Sequence, residues 1–319
     1  LWLSPVKLHI PDGFLSTPVA IVGWVFALVF IAVAIRQTRD QLGDRQVPLM
    51  GILAAFIFAA QAINFPIAAG TSGHLLGGAL AAILLGPWAA TLIMTAVIAM
   101  QGLLFQDGGL LVMGWNILNM GVITAFVGIA TYSFIRRLTG EGRRSHLAAA
   151  FTGAWLSVEV AALATALQLA VSGTSPIELG LPAMAGVHAL IGIGEGVITV
   201  GALILLETTS SGVLREGESA PGRRGANVIA AGLLLALLVA LFSPLASSHP
   251  DGLEFVAEQK GFLDLAVDPS YEILPDYTVP IISDPVLTTI VAVVLGTLLV
   301  FVVAWFVGRN TTRSEAAGD

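Results

Sequence analysis

Long apolar runs separated by short polar stretches make up most of the chain. A first run, about residues 18–35, is long enough to cross a bilayer, and Arg36, Arg39 and Arg45 follow it directly. A second, about 49–67, ends at Asn64-Phe65-Pro66 and leads into Gly70-Thr71-Ser72-Gly73-His74. Residues 74–105 are apolar but broken at Gly86-Pro87-Trp88, and the next basic pair is Arg136-Arg137. An odd number of crossings is needed between those points. The pattern therefore predicts a short helix over about 74–86, a turn, a helix over about 87–105 and another over about 110–136. Further helices are predicted over about 147–171 and 182–207, followed by a polar stretch from Glu207 to Arg224 that reads as a linker. A helix over about 226–245, a polar, acidic segment over 246–284 and a helix over about 285–307 complete the pattern.

The expected fold class is an all-α multi-spanning membrane protein with about nine transmembrane helices. Composition agrees: 56% of the 319 residues are apolar, only 11% are charged, and the mean hydropathy is +0.90. Soluble domains are about 45–50% apolar and about 25% charged. The basic residues set the sidedness. Twelve of the fourteen (36, 39, 45, 136, 137, 143, 144, 215, 223, 224, 309 and 313) fall on one side, which places the N-terminus outside and the C-terminus in the cytoplasm. Only Lys7 and Lys260 fall outside. The outer side collects acids, among them Asp12, Asp107, Asp251, Glu254 and Asp284. They either raise the local concentration of a divalent cation or reflect only the absence of Lys and Arg from outer loops. No cleavable signal peptide is expected, since Lys7 alone precedes the first run. The chain has no cysteine, which excludes disulfides and thiolate metal ligands.

Five histidines carry the candidate chemistry. His146 lies in a basic loop and reads as a solvated surface residue, whereas His9, His74, His188 and His249 all fall near the predicted outer face. His9, in Leu8-His9-Ile10-Pro11-Asp12-Gly13-Phe14, and His74, at a predicted helix start after a Gly-Thr-Ser-Gly turn, are the candidate ligands of a divalent metal. A capping or packing role is the plainer alternative for His74. Asp107-Gly108-Gly109, with Gln101, Gln106, Asn116 and Asn119 nearby, forms a polar cluster near the same face. Asn116 and Asn119 are read as structural or supporting rather than as ligands. Glu159 and Glu195 lie inside predicted spans, where a carboxylate is costly. His188 stands seven residues before Glu195, about two helical turns away, which suits a structural network between helices at least as well as a second metal site. No G-x-x-x-x-G-K-[ST] loop and no H-E-x-x-H occurs. The chain is therefore not expected to be an enzyme, and any ATP hydrolysis belongs to another chain.

Several stretches together resemble the membrane substrate-binding component of energy-coupling-factor cobalt and nickel transporters, the CbiM/NikM family. They are His9-Ile-Pro-Asp-Gly-Phe-Leu15, Asn64-Phe-Pro-Ile67, Gly70-Thr-Ser-Gly-His-Leu-Leu-Gly-Gly78, Gly86-Pro-Trp88, Gln101-Gly-Leu-Leu-Phe-Gln-Asp-Gly-Gly109, Asn116-Ile-Leu-Asn-Met-Gly121 and His188 to Thr199. The likeness covers about 8–210. Pro250-Asp-Gly-Leu-Glu254 and its flanking helices resemble a PDGLE-type accessory module, here fused to the first. This implies a seven-helix metal-binding component over 8–210, a cytoplasmic linker over 211–225 and a two-helix accessory module over 226–308, with the PDGLE segment over 246–284.

In that family the metal is held by the N-terminal amine, the amide and imidazole of the second residue, and a distant histidine. The resemblance carries these roles to the Leu8 amine, to His9 and to His74. Asp12, Asn64, Ser72, Asp107, Asn116, Asn119, His188 and Glu195 take supporting or structural roles. The family begins Met-His, whereas seven residues precede Leu8 here. A UUG codon reads as leucine internally and as methionine at initiation, so the functional protein is expected to begin at Leu8. The resemblance further implies Ni(II) or Co(II) as the transported ligand, no tightly bound cofactor, ATPase subunits and a coupling transmembrane subunit as partners, surrounding lipid, and no nucleic acid. The small-residue stretch 76–86 is an expected docking surface for the coupling subunit. A secondary metal transporter and a metal-binding membrane sensor or scaffold are the rival readings.

Overall fold

The computed structural model describes residues 9–41, 43, 46–209 and 223–311. The chain folds into helices α1 (Thr17–Gln41), α2 (Val47–Gln61), α3 (Gly78–Leu85), α4 (Pro87–Met100), α5 (Met113–Asn116), α6 (Thr124–Thr139), α7 (Arg143–Val171), α8 (Ile177–Thr209), α9 (Arg223–Ala240), α10 (Gly252–Lys260) and α11 (Pro285–Thr311). The π-helical turns Gln101–Phe105 and Ile117–Ile123 extend α4 and join α5 to α6. Among the described residues seven helices are long and apolar enough to cross a membrane. The chain is thus a multi-pass membrane protein. The face of α1 carrying Ile21, Val22, Val25, Phe26 and Leu28 is exposed, as a lipid-facing helix requires.

The helices expected over 49–67 and 74–86 are both shorter than the sequence pattern suggested. The α2 helix stops at Gln61 because the chain must turn extended before Pro66, where Phe65 pairs with Gly73 in a two-residue antiparallel ladder, β1 (Phe65–Pro66) with β2 (Ser72–Gly73). The α3 helix starts only at Gly78: Gly77 sits at φ 85°, a left-handed conformation that glycine tolerates and a helix cannot contain. His74 therefore lies in extended chain, four residues ahead of α3, and not at a helix start. The predicted linker 211–225 lies mostly outside the described residues, and its last three residues already belong to α9.

Glycines set the closest helix contacts. Gly192 and Gly196, one turn apart on α8, receive Trp155 and Phe151 of α7, and a Cβ at Gly196 would stand 2.6 Å from the Phe151 ring. On α3, a Cβ at Gly78 would overlap Thr124 of α6. Of the expected docking stretch 76–86, residues 76–82 are buried and 83–86 are half-buried. The α9 and α11 helices pack on α2, with Gly232 against Ile52 and Gly51 against Phe301. The segment between them crosses the end of the bundle that carries His9. Ser72 N–H donates to the Pro250 carbonyl, Ser247 N–H to that of Asn64, Val267 N–H to that of Asp12 and Leu274 N–H to that of Leu104. The two modules close one end together.

Candidate metal centre

The His9 segment is held in place by its backbone. Ile10 N–H donates to Asn116 Oδ1 at 3.1 Å, and Asn116 Nδ2 and Gly109 N–H both donate to the Ile10 carbonyl. Asp12 accepts from the backbone N–H groups of Leu110 and Val112. It orients the 108–112 loop and no ligand ring. Gly108 is required where the two strands of chain cross: its φ is 96°, and a Cβ there would lie 2.7 Å from that of His9.

The ring of His9 is oriented by Asp107, whose Oδ1 lies 2.8 Å from Nδ1. That contact assigns the ring proton to Nδ1, so Nε2 carries the lone pair, and Nε2 is buried without a hydrogen-bond partner. The His74 ring centroid stands 6.1 Å away. Its Nδ1 donates to the Leu75 carbonyl at 2.9 Å. His188 follows the same rule, with Nδ1 2.8 Å from the Met184 carbonyl. A metal-binding imidazole needs this arrangement, one nitrogen tied to an acceptor and the other presented as a base. All three rings line one cavity of about 70 Å³, together with Asn116, Asn119 and Asp251.

Carboxylates around the cavity differ in charge. For Asp107, burial opposes ionisation, but the charge His9 can carry and hydrogen bonds from His9 and Tyr277 outweigh it and hold the group below its ordinary value. Asp251 is pushed up to about 8, by burial first and then by the neighbouring Glu254 and Asp107 charges. It caps α10 by accepting from Glu254 N–H. The Tyr277 phenol is raised well above its usual value, by burial and then by Asp107, so it remains a donor.

The remaining residues singled out from the sequence support this site or stand apart from it. Glu195 accepts from Leu76 N–H at 2.6 Å and Gly77 N–H at 2.8 Å, so it fixes the chain between His74 and α3. Asn119 bonds Thr165 and Gln168 of α7. Asn64 and Ser72 do not line the cavity; they hold residues 247–250, with Ser72 Oγ donating to the His249 carbonyl. His249 itself presents only its backbone there. Glu159 is buried on α7 away from the cavity. Leu8 lies outside the described residues. Sequence reasoning missed Asp251 and Tyr277 as parts of the site. The Asp251-x-x-Glu254 spacing was a helix-start signal for the first, and no local pattern marked the second. Among the described residues no three His, Asp or Glu side chains form a ready metal-holding group.

Comparison with known proteins places the chain in a family. The family model described as the cobalt uptake substrate-specific transmembrane region matches residues 9–212, and the PDGLE domain model matches 226–313. A putative fused nickel transport protein NikMN of Archaeoglobus fulgidus is 36% identical over 95% of this chain and 98% of its own length. The cobalt transport protein CbiM of Sorangium cellulosum is 31% identical over 65% of this chain and 94% of its own. A crystal structure of a truncated transition metal transporter superposes with a TM-score of 0.56 at 33% identity, covering 63% of this chain and 99% of that one. The chain belongs to the CbiM family, the cobalt uptake substrate-specific transmembrane region, and carries a PDGLE domain behind it.

Proposed function

We propose that this chain captures Ni(II) or Co(II) at the outer face and passes it inward as the substrate-specific subunit of a transporter whose ATPase and coupling transmembrane subunits are separate chains. The observation that carries this reading is the pair His9 and His74, ring centroids 6.1 Å apart at the wall of one cavity. The relative from Archaeoglobus fulgidus, named for nickel transport, matches both modules, which supports metal uptake by the fused chain.

The ligand set is the His9 and His74 imidazoles, the His9 amide and an amine at Leu8. Amine, amide and the His9 Nδ1 form fused chelate rings that favour a planar array, so the metal takes the place of the Asp107 hydrogen bond at that nitrogen. A second imidazole completes four nitrogens, a geometry that suits Ni(II) and admits Co(II). In this reading the chain crosses nine times with the N-terminus outside. The α2 helix spans only about 22 Å and α3 about 12 Å at 1.5 Å per residue, so each crossing is completed by extended chain buried in protein.

The variants His9→Ala and His74→Ala should each abolish high-affinity Ni(II) binding by the purified protein while its helical circular dichroism persists. Metal uptake in cells should also require a co-expressed ATPase and coupling subunit. Wild-type binding in either variant would remove the site; uptake without the ATPase would favour a secondary transporter instead.

A further inference from the structure

We propose that Ser72 is a positioning residue for His74, and that it acts by pairing the strand that delivers the histidine with residues 249 and 250 of the second module. On one edge β2 pairs with β1. On the other, Ser72 N–H donates to the Pro250 carbonyl at 2.8 Å. The Ser72 hydroxyl reaches the His249 carbonyl at 2.7 Å and the Pro250 carbonyl at 3.2 Å, and Thr71 Oγ1 donates to the Pro250 carbonyl at 3.1 Å. Ser247 N–H bonds the Asn64 carbonyl just ahead of β1, so this strap of the second module is tied to both strands of the ladder. Thr71 and Ser72 are buried, and buried donors need acceptors within the protein. The second module supplies them.

His74 stands two residues beyond Ser72, in chain that belongs to neither helix nor ladder. On its far side Glu195 accepts from Leu76 N–H and Gly77 N–H, and Gln61 Nε2 donates to the Leu76 carbonyl at 2.8 Å. The histidine is thus suspended between two clamps, one built by the first module and the other shared with the second. The strap continues from Pro250 into Asp251, Gly252 and Leu253, which line the cavity. Gly252 is seated on α8: a Cβ there would lie 2.6 Å from Ile191 Cδ1 and 2.9 Å from His188 Cε1. A strap seated this closely gives Ser72 a fixed partner, and groups that hold a ligand residue in place set how well it meets the metal.

The inference rests on His74 being a ligand, and the experiment separates the two claims. Full-length protein is titrated with Ni(II) alone by calorimetry, and the visible absorption of the bound Ni(II) is recorded, for wild type, Ser72→Ala, Thr71→Val, Ser157→Ala and His74→Ala. Ser157→Ala is the control, since it removes an equally buried hydroxyl that bonds Ala154 of its own helix. Ser72→Ala should bind with unchanged stoichiometry, a Kd raised about 10-fold and a shifted absorption band, because His74 meets the metal in an altered orientation. Thr71→Val loses one donor to the same carbonyl and keeps the side-chain shape. It should move both readouts less, in the same direction, and it decides the matter if Ser72→Ala does not fold. Ser157→Ala should match wild type. A lowered competent fraction with the Kd and band of the remainder unchanged would mark a merely structural role and overturn the proposal. Loss of binding in His74→Ala with a wild-type Kd and band in Ser72→Ala and Thr71→Val, or an equal rise of Kd in Ser157→Ala, overturns the positioning role while the site stands. Wild-type binding in His74→Ala overturns the site itself.

Discussion

At the scale of single residues, the site is a set of nitrogens whose orientation is set by acceptors elsewhere in the chain. His9 and His74 were visible as candidates because histidine is rare here and both flank apolar runs. Asp107 and Glu195 carry supporting roles in the sequence reading, but which group each one bonds is not legible there. Asp251 offers a test at this scale. Its folded-state value of about 8 stands above the ordinary 3.8, so the folded protein keeps a proton that the unfolded chain releases. The stability this group contributes is complete below the ordinary value, falls as pH rises through the interval and levels off above about 8. Asp251→Asn retains an acceptor at the cap and removes the titration. Between pH 5 and 8 the thermal midpoint should fall less in the variant than in wild type. Equal slopes in the two proteins would contradict the assignment.

At the scale of elements, sequence periodicity located nearly every helix and misplaced the ends of the two beside the site. The expected short helix over 74–86 was correctly terminated at Gly86-Pro87, a local signal, but its start was overrun by four residues because Leu75 and Leu76 look helical by composition. Distant side chains hold them extended: Glu195 accepts from Leu76 N–H, and Gln61 Nε2 donates to the Leu76 carbonyl. Close packing of α7 on α8 is likewise a matter of position and not of glycine content. Gly196→Leu drives a side chain into the Phe151 ring and should destabilise the protein by about 1–3 kcal/mol. Gly201→Leu, on the same helix with no atom near its added Cβ, should be close to neutral. The comparison is a thermal unfolding measurement of both variants in the same detergent, and an equal loss in the two would show that the α7–α8 contact is not the cause.

At the scale of the whole molecule, the second module is part of the metal-site end. Its helices pack on α2, and its connecting segment supplies Asp251, Gly252 and Leu253 to the cavity wall. The proposed nine-crossing arrangement can be read out directly, because the chain has no cysteine and each introduced thiol reports alone. With the N-terminus outside, Lys260→Cys in α10 should react with a membrane-impermeant maleimide added to intact cells. Glu141→Cys, in the exposed turn between α6 and α7, should react only after lysis. The reverse pattern would invert the topology, and labelling of both from outside would change the number of crossings.

The sequence by itself determined the membrane class, the approximate helices and the two family modules, and it singled out His9 and His74 as candidates. Run length, charge placement and motif order are properties of neighbouring residues and survive without a fold. Tertiary structure alone decided which groups orient those histidines. His9 meets Asp107 across 98 positions, Asp107 meets Tyr277 across 170, and Glu195 reaches Leu76 across 119. Contacts at such separations exist only once helices have packed, and the apolar pattern that drives the packing does not name the polar partners it will bring together. The segment around His9 thus carries its histidine in its own sequence, and the hydrogen bonds that orient the ring come from residues far along the chain.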